Sequence, residues 1–477
     1  MKIHMKNKVL IALLFAMFVL ALNVKTEAKD LVLRVYSWQD YIDDGKDEDG
    51  NKIGTSVLED WEKDYYERTG VKVTLIYDTF ETNEVMLNTL KTGKTTYDLC
   101  CPSEYTIQKM IRDDMLEKYD YDGTYKYVEN YNLYGSPYIK KIFVENDLEE
   151  YAIPYMWGTL GMIYNPEFVD EEDMDTWGVL WNPKYKNKSS AKDSVRDTMV
   201  AGVMYMNRDK LMALRSDYLN GVLDAASYNK QVSLIMNDTS DLEGLEKVLT
   251  EMKGNIFGLE VDSGKNDIVT GKISIDVAWS GDAVYSMDTA EEEEGVKLCY
   301  KVPLEGGNIW FDGWVMPKGA NKELAQDFIN FLCSPATASR NMDYIGYTTA
   351  IAGDDIFDLV YDWYNEEDGI YANDLSYFFG DTISSDRLTD GKAIIRSNER
   401  NRQLDTQFPS EEVITRCAVM ADFKDQNDAV LEMWENFKKG SFSVWLIVGV
   451  VGGVVAVGVV AFIIKQNKSN KKKKRRH

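Results

Sequence analysis

Histidine is almost missing from this chain. Only His4 and His477 occur in 477 residues, one near each end. The stretch between them therefore has no Ser-His-Asp or Cys-His nucleophile system and no imidazole-ligated metal. Chemistry carried by carboxylates alone stays open. Cysteine is sparse too: Cys100, Cys101, Cys299, Cys333 and Cys417 form no CxxC pair and no regular framework. Cys100 and Cys101 lie inside the strand-like YDLCCPS and read as small buried hydrophobes. A disulfide among the other three stays open. Positive charge is also short, with 54 Lys and Arg against 79 Asp and Glu and a net charge of −25. Eight of those bases crowd into 465–476, so the remainder carries −33. Such a field repels nucleic acid and anionic lipid and attracts small cations, although solubility alone accounts for the same surplus. Internal repeats of 20–50 residues are absent.

The length is too great for one compact core and predicts two lobes. Both ends suggest a membrane. Lys2, Lys6 and Lys8 precede an apolar run over 9–22, and Ala28 supplies a small residue at a cleavage position. That pattern predicts a signal peptide over 1–28. No cysteine follows it, so a lipid anchor is not indicated. The stretch 444–464, VWLIVGVVGGVVAVGVVAFII, has no charge and the length of a transmembrane helix. The basic tail 465–477 places its far side in the cytoplasm and the body outside.

Within the body, strand and helix patterns alternate. LVLRVYSW, VKVTLIY and YDLCCPS read as strands; SVLEDWEKDYYERTG, NEVMLNTLKTG and EYTIQKMIRDDM read as helices. This rhythm predicts an α/β fold with a largely parallel sheet and ligands bound beyond the strand ends. YAIPYMWGTLGMIYN is too long for one simple strand and suits a crossing between lobes. Residues 353–410 are acidic and tyrosine-rich and resist assignment.

Three stretches place aromatic and acidic residues where strands should end: YSWQDY, AWSGDAVY and NIWFDGW. In the last, Trp310 and Asp312 share a strand face; simple alternation adds Trp314, which reads as packing between the lobes rather than as a ligand contact. Ring faces attract cations, carboxylates pair with ammonium groups, and methylenes pack on indoles. A flexible di- or triamine offers all three. The same residues have plainer roles: tryptophans fill cores, Ser103 is placed to cap a helix, and Ser194 with Asp197 fits a capping box.

The motifs YSWQDYI, TGVKV, YDLCCPSEYTIQKM, YAIPYMWGTLGMIYN, LWNPKYKN, DSVRD, AWSGDA, EGGNIWFDGWVMP and YIGYTTA run in order along most of the body. Through them the chain, from about Leu31 to Phe437, resembles the substrate-binding proteins of spermidine/putrescine ABC transporters. The resemblance implies a two-lobed periplasmic-binding-protein fold with a hinge. Lobe 1 would take 29–157 and 313–352, and lobe 2 would take 158–312 and 353–439. It implies no enzyme activity and no cofactor, a polyamine ligand, and an ABC permease with its ATPase as partners. Its ligand contacts fall on Trp38, Tyr41, Ser103, Tyr105, Trp279, Trp310, Asp312 and Tyr347. In DSVRD the family often has acids at the second and fifth positions. Here these are Ser194 and Asp197, with Asp193 the neighbouring carboxylate. A late family glutamine falls near Met420. The competing readings are a binding protein for a sugar or thiamine, a surface glycoside hydrolase working through two acids, and a sensory ectodomain.

Overall fold

A computed structural model describes residues 31–46 and 50–439. The expected signal peptide, the apolar stretch 444–464 and the basic tail lie outside the described residues. Among the described residues no helix is long and apolar enough to cross a membrane.

The strand–helix rhythm folds as its local signals dictate. Strand β1 (Leu31–Ser37) pairs in parallel with β2 (Val73–Thr79), Leu31 opposite Val73 through to Ser37 opposite Thr79. Helix α1 (Val57–Thr69) connects them. Its Ser56 hydroxyl accepts from the Glu59 amide while the Glu59 carboxylate accepts from the Ser56 amide, a reciprocal cap. The helix stops on Gly70 at φ 72°, a left-handed position that a side chain would strain. Helix α2 (Asn83–Thr92) leads to β3 (Leu99–Cys100), parallel to β1, and then to α3 (Glu104–Arg112).

The middle of the sheet departs from the expected parallel order. Strand β4 (Ala152–Tyr164) and strand β8 (Gly307–Pro317) run antiparallel through the centre of the molecule, and every residue of both is buried. The flank beyond them returns to parallel pairing, with β5 (Ser189–Lys192) between β6 (Gly258–Glu260) and β7 (Ile275–Trp279). The main path of the sheet is β2-β1-β3-β8-β4-β7-β5-β6, with four further short strands pairing onto β4 and β8. The two antiparallel strands at the centre carry the chain between the halves in opposite directions. The segment YAIPYMWGTLGMIYN is one strand after all. Its first half pairs with β8 and its second half, Leu160 to Tyr164, with β7. The length is accommodated by a bulge: the ladder skips Tyr155 between the Asp312–Met156 and Gly313–Pro154 pairs.

The buried apolar residues form two clusters. The first gathers Leu33, Trp61, Leu99, Trp157, Phe311, Trp314 and Phe328. The second gathers Tyr164, Trp177, Met204, Leu249, Met252 and Phe437. The unassigned 353–410 proves ordered. It contains helix Asp354–Tyr364 and an antiparallel hairpin, Tyr371–Asp374 with Ile394–Ser397. Its Phe357, Phe378, Ile395 and Phe408 bury into the first cluster. All five cysteines are free, and Cys100, Cys101, Cys333 and Cys417 are buried.

Candidate functional site

Asp312 sits where β8 crosses the sheet, 7% exposed. Its Oδ2 accepts from the Tyr41 hydroxyl at 2.7 Å and its Oδ1 from the Ser103 hydroxyl at 2.8 Å. Tyr41 is brought in by the turn after β1, where Asp40 adopts φ 51°, a left-handed conformation that Asp tolerates better than most residues. Ser103 occupies the N-cap position of α3 but makes no capping bond. Its hydroxyl is spent on Asp312 instead and also accepts from Asn83 Nδ2 at 3.1 Å. Among the described residues no basic side chain pairs with Asp312. Burial alone pushes its carboxyl up to about 6, against the pull of the two hydroxyls.

Aromatic rings close over this carboxylate. Trp310 lies 5.4 Å from Tyr347, and Tyr347 meets Tyr41 edge-on at 6.0 Å. The Tyr347 hydroxyl donates to Asp282 Oδ1 at 2.7 Å, on helix α5 (Ser280–Thr289). This approach needs Gly281, since a Cβ there would lie 1.7 Å from the Tyr347 ring. Gly158 plays the same part for Trp310, where a Cβ would fall 2.7 Å from the indole and 2.2 Å from Ser280 Oγ.

A second carboxylate, Asp197, stands in the first turn of α4 (Val195–Met206) and is also 7% exposed. Its Oδ1 accepts from Trp279 Nε1 at 3.2 Å. Ser194 caps the same turn, its Oγ accepting from the Asp197 amide at 3.5 Å. Burial raises the Asp197 carboxyl, while Ser194, Trp279, Lys192 and Arg196 oppose it.

Beside Asp197 lies a group that the sequence reading passed over. Lys192, the last residue of β5, is fully buried. Its Nζ is 2.7 Å from Glu260 Oε1, 3.8 Å from Asp282 Oδ2 and 4.7 Å from the Trp279 ring centre. Burial disfavours its charge, but Asp276, Asp282 and Glu260 outweigh that and raise its pKa. Asp276, which accepts from Ser190 Oγ at 2.6 Å, is pushed up to about 7 by burial. Glu104, behind β8, accepts from the Phe311 amide at 3.2 Å and is pushed up to about 8 by burial. Asp282 stands inside the noted AWSGDA, so that motif was the available signal for it. Nothing in SSAK announces a buried lysine.

The remaining expected residues are placed less centrally. Trp38 packs on Phe80 at 4.4 Å. The Tyr105 hydroxyl accepts from Asn83, and its ring lies 4.3 Å from the Arg196 guanidinium, which Phe423 covers from 3.8 Å. Asp193 does not join the others: it is exposed and pairs with Lys438 at 3.5 Å. Met420 buries its side chain in the second cluster, and its carbonyl accepts from Gln108 Nε2 at 3.1 Å.

The arrangement is a buried carboxylate with hydroxyl donors and, among the described residues, no counter-ion, walled by indole and phenol rings. It suits a cation with an apolar body. Among the described residues no cluster of His, Cys, Asp and Glu is arranged to hold a metal ion.

Comparison with known proteins identifies the family and the fold. The spermidine/putrescine-binding periplasmic protein of Salmonella typhimurium is 29% identical over 319 residues, covering 66% of this chain and 77% of that protein. The putrescine-binding periplasmic protein PotF of Escherichia coli is 27% identical over 358 residues, covering 72% and 85%. The solved structure of the spermidine/putrescine ABC transporter substrate-binding protein from Streptococcus pneumoniae superposes with a TM-score of 0.56 at 26% identity, covering 86% of this chain and 99% of that one. The fold is thus the two-lobed α/β type of periplasmic binding proteins. Residues 60–353 match the bacterial extracellular solute-binding proteins, and the chain belongs to that family of binding proteins, which are not enzymes.

Proposed function

We propose that this protein captures a linear polyamine, putrescine or spermidine, outside the cytoplasm and delivers it to an ABC permease driven by an ATPase. The observation that carries this reading is Asp312: a buried carboxylate with two hydroxyl donors and no basic partner among the described residues. Burying an ionised carboxylate without a cation is costly, and an incoming ammonium removes that cost. Trp310, Tyr347 and Tyr41 enclose the methylenes next to it, and Asp197 with Trp279 receives the second amine. The names of the relatives support the same ligand class.

The two lobes close on the ligand about β4 and β8. The expected division assigns 29–157 with 313–352 to one lobe and 158–312 with 353–439 to the other. The stretch 444–464 tethers the body beside its permease and keeps its effective concentration high. Deleting the residues after Lys439 should lower uptake at unchanged binding affinity, and unchanged uptake would count against the tether.

Thermal unfolding of the purified protein with putrescine, spermidine, maltose and thiamine tests the ligand class. The midpoint should rise with the amines only. A rise with maltose or thiamine alone would replace this reading.

A further inference from the structure

The cleft holds three acidic positions, and they differ in what already neutralises them. Asp312 has no basic partner among the described residues. Asp197 has an indole N–H and a serine cap but no ion pair within contact distance among the described residues. The third position, formed by Glu260, Asp276 and Asp282, is different. Lys192 Nζ stands 2.7 Å from Glu260 and 3.8 Å from Asp282, and Lys265 Nζ is 3.7 Å from Asp282 and 2.8 Å from Asp262.

Lys192 also lies over the face of Trp279 at 4.7 Å. An ammonium on an indole face, paired to a carboxylate, is the contact that a ligand amine would make. The protein supplies that ammonium itself, from a residue two positions before Ser194. A further cation brought here would find Glu260 and Asp282 engaged and Lys192 repelling it at short range.

We propose that Lys192 fills the seat a third ligand amine would take, so that the cleft accepts diamines and disfavours triamines. This rests on the polyamine reading and narrows it to one substrate class. Asp312 and Asp197 serve two ammonium groups, and at the third position Glu260 and Asp282 already face lysines. The departure in DSVRD, with Ser194 at an often acidic position, fits the same reduction in charges read.

The test is calorimetric titration of the solubilised full-length protein with putrescine and with spermidine, for wild type and Lys192→Met. Wild type should prefer putrescine by about tenfold or more, and Lys192→Met should shift the ratio toward spermidine by about tenfold. Because Lys192→Met leaves Glu260 unpaired, the double variant Lys192→Met with Glu260→Gln removes both charges together and should still relieve the exclusion. Thermal unfolding of each variant shows that it is folded. Spermidine binding as tight as putrescine in wild type overturns the proposal while leaving polyamine binding standing. An unchanged ratio in a folded variant overturns it as well, and makes Lys192 a structural ion pair. If neither variant folds, the wild-type preference decides. Binding of neither amine sinks the polyamine reading itself.

Discussion

Tyr41 and Asp312 lie 271 positions apart in the chain and 2.7 Å apart in the fold, the phenol donating to a carboxylate that no base among the described residues neutralises. The pair joins the turn after β1 to the central crossing strand. It also holds in place a charge whose burial works against folding, which is the mark of a group retained for what it binds.

Asp312→Asn tests that mark. Losing the charge should weaken putrescine binding by about 1.5–3 kcal/mol, the worth of a charge-assisted bond. The ligand-free variant should unfold no earlier than wild type at pH 7.5, since the lost hydrogen bond is offset by relief of a buried charge. Calorimetry and thermal unfolding read the two effects separately. Loss of stability with unchanged affinity would make Asp312 a scaffold residue.

The pH dependence has a defined sign. The Asp312 carboxyl is raised from its ordinary 3.8 to about 6, so the folded ligand-free protein holds a proton that the unfolded chain releases. The stability from this group is fully present below pH 4 and is lost as pH rises through 6. Ligand affinity runs the other way, because an ammonium needs the ionised carboxylate. At pH 5 the affinity for putrescine should be about tenfold below its value at pH 7.5. Titrations across pH 5–8 check this, and a flat profile would remove Asp312 from the ligand.

Tyr41→Phe removes one of the two donors that hold the carboxyl down. It should weaken binding by about 1–2 kcal/mol and move the midpoint of the pH profile upward. A weaker affinity with an unmoved midpoint would mean that Tyr41 acts by packing alone.

Gly281→Ala addresses closure. A Cβ at 281 would lie 1.7 Å from the Tyr347 ring, which Trp310 and Tyr41 hold from other sides. The variant should fold, because residue 281 is helical and alanine suits a helix. It should lose about tenfold or more in affinity by displacing Tyr347 from Asp282. Wild-type affinity would show that Tyr347 is dispensable to the closed cleft.

Much of this was legible in the sequence, for identifiable reasons. Helix α1 carries its own caps, Ser56 with Glu59 at one end and Gly70 at the other, so local chemistry decides it. Trp310 and Asp312 were legible because a strand alternates. Trp314 obeys the same alternation on paper, yet packs on Tyr155 and Phe328 in the core, where the ladder has slipped past Tyr155. A bulge has no local signature in such an apolar run. The antiparallel crossing of β4 and β8 was hidden for a similar reason: a fully buried strand shows no direction. Lys192 was illegible because its burial depends on Glu260 and Asp282, distant in the chain. The segment 353–410 hid its order among acidic residues that ion pairs use, as Arg387 does with Asp354 and Asp358.

The most direct measurement is calorimetric titration of the purified protein with putrescine and spermidine at pH 7.5, with maltose and an amino acid as controls. The account predicts saturable heat with an amine, abolished or strongly reduced in Asp312→Asn, and none with the controls. No heat with either amine would contradict it.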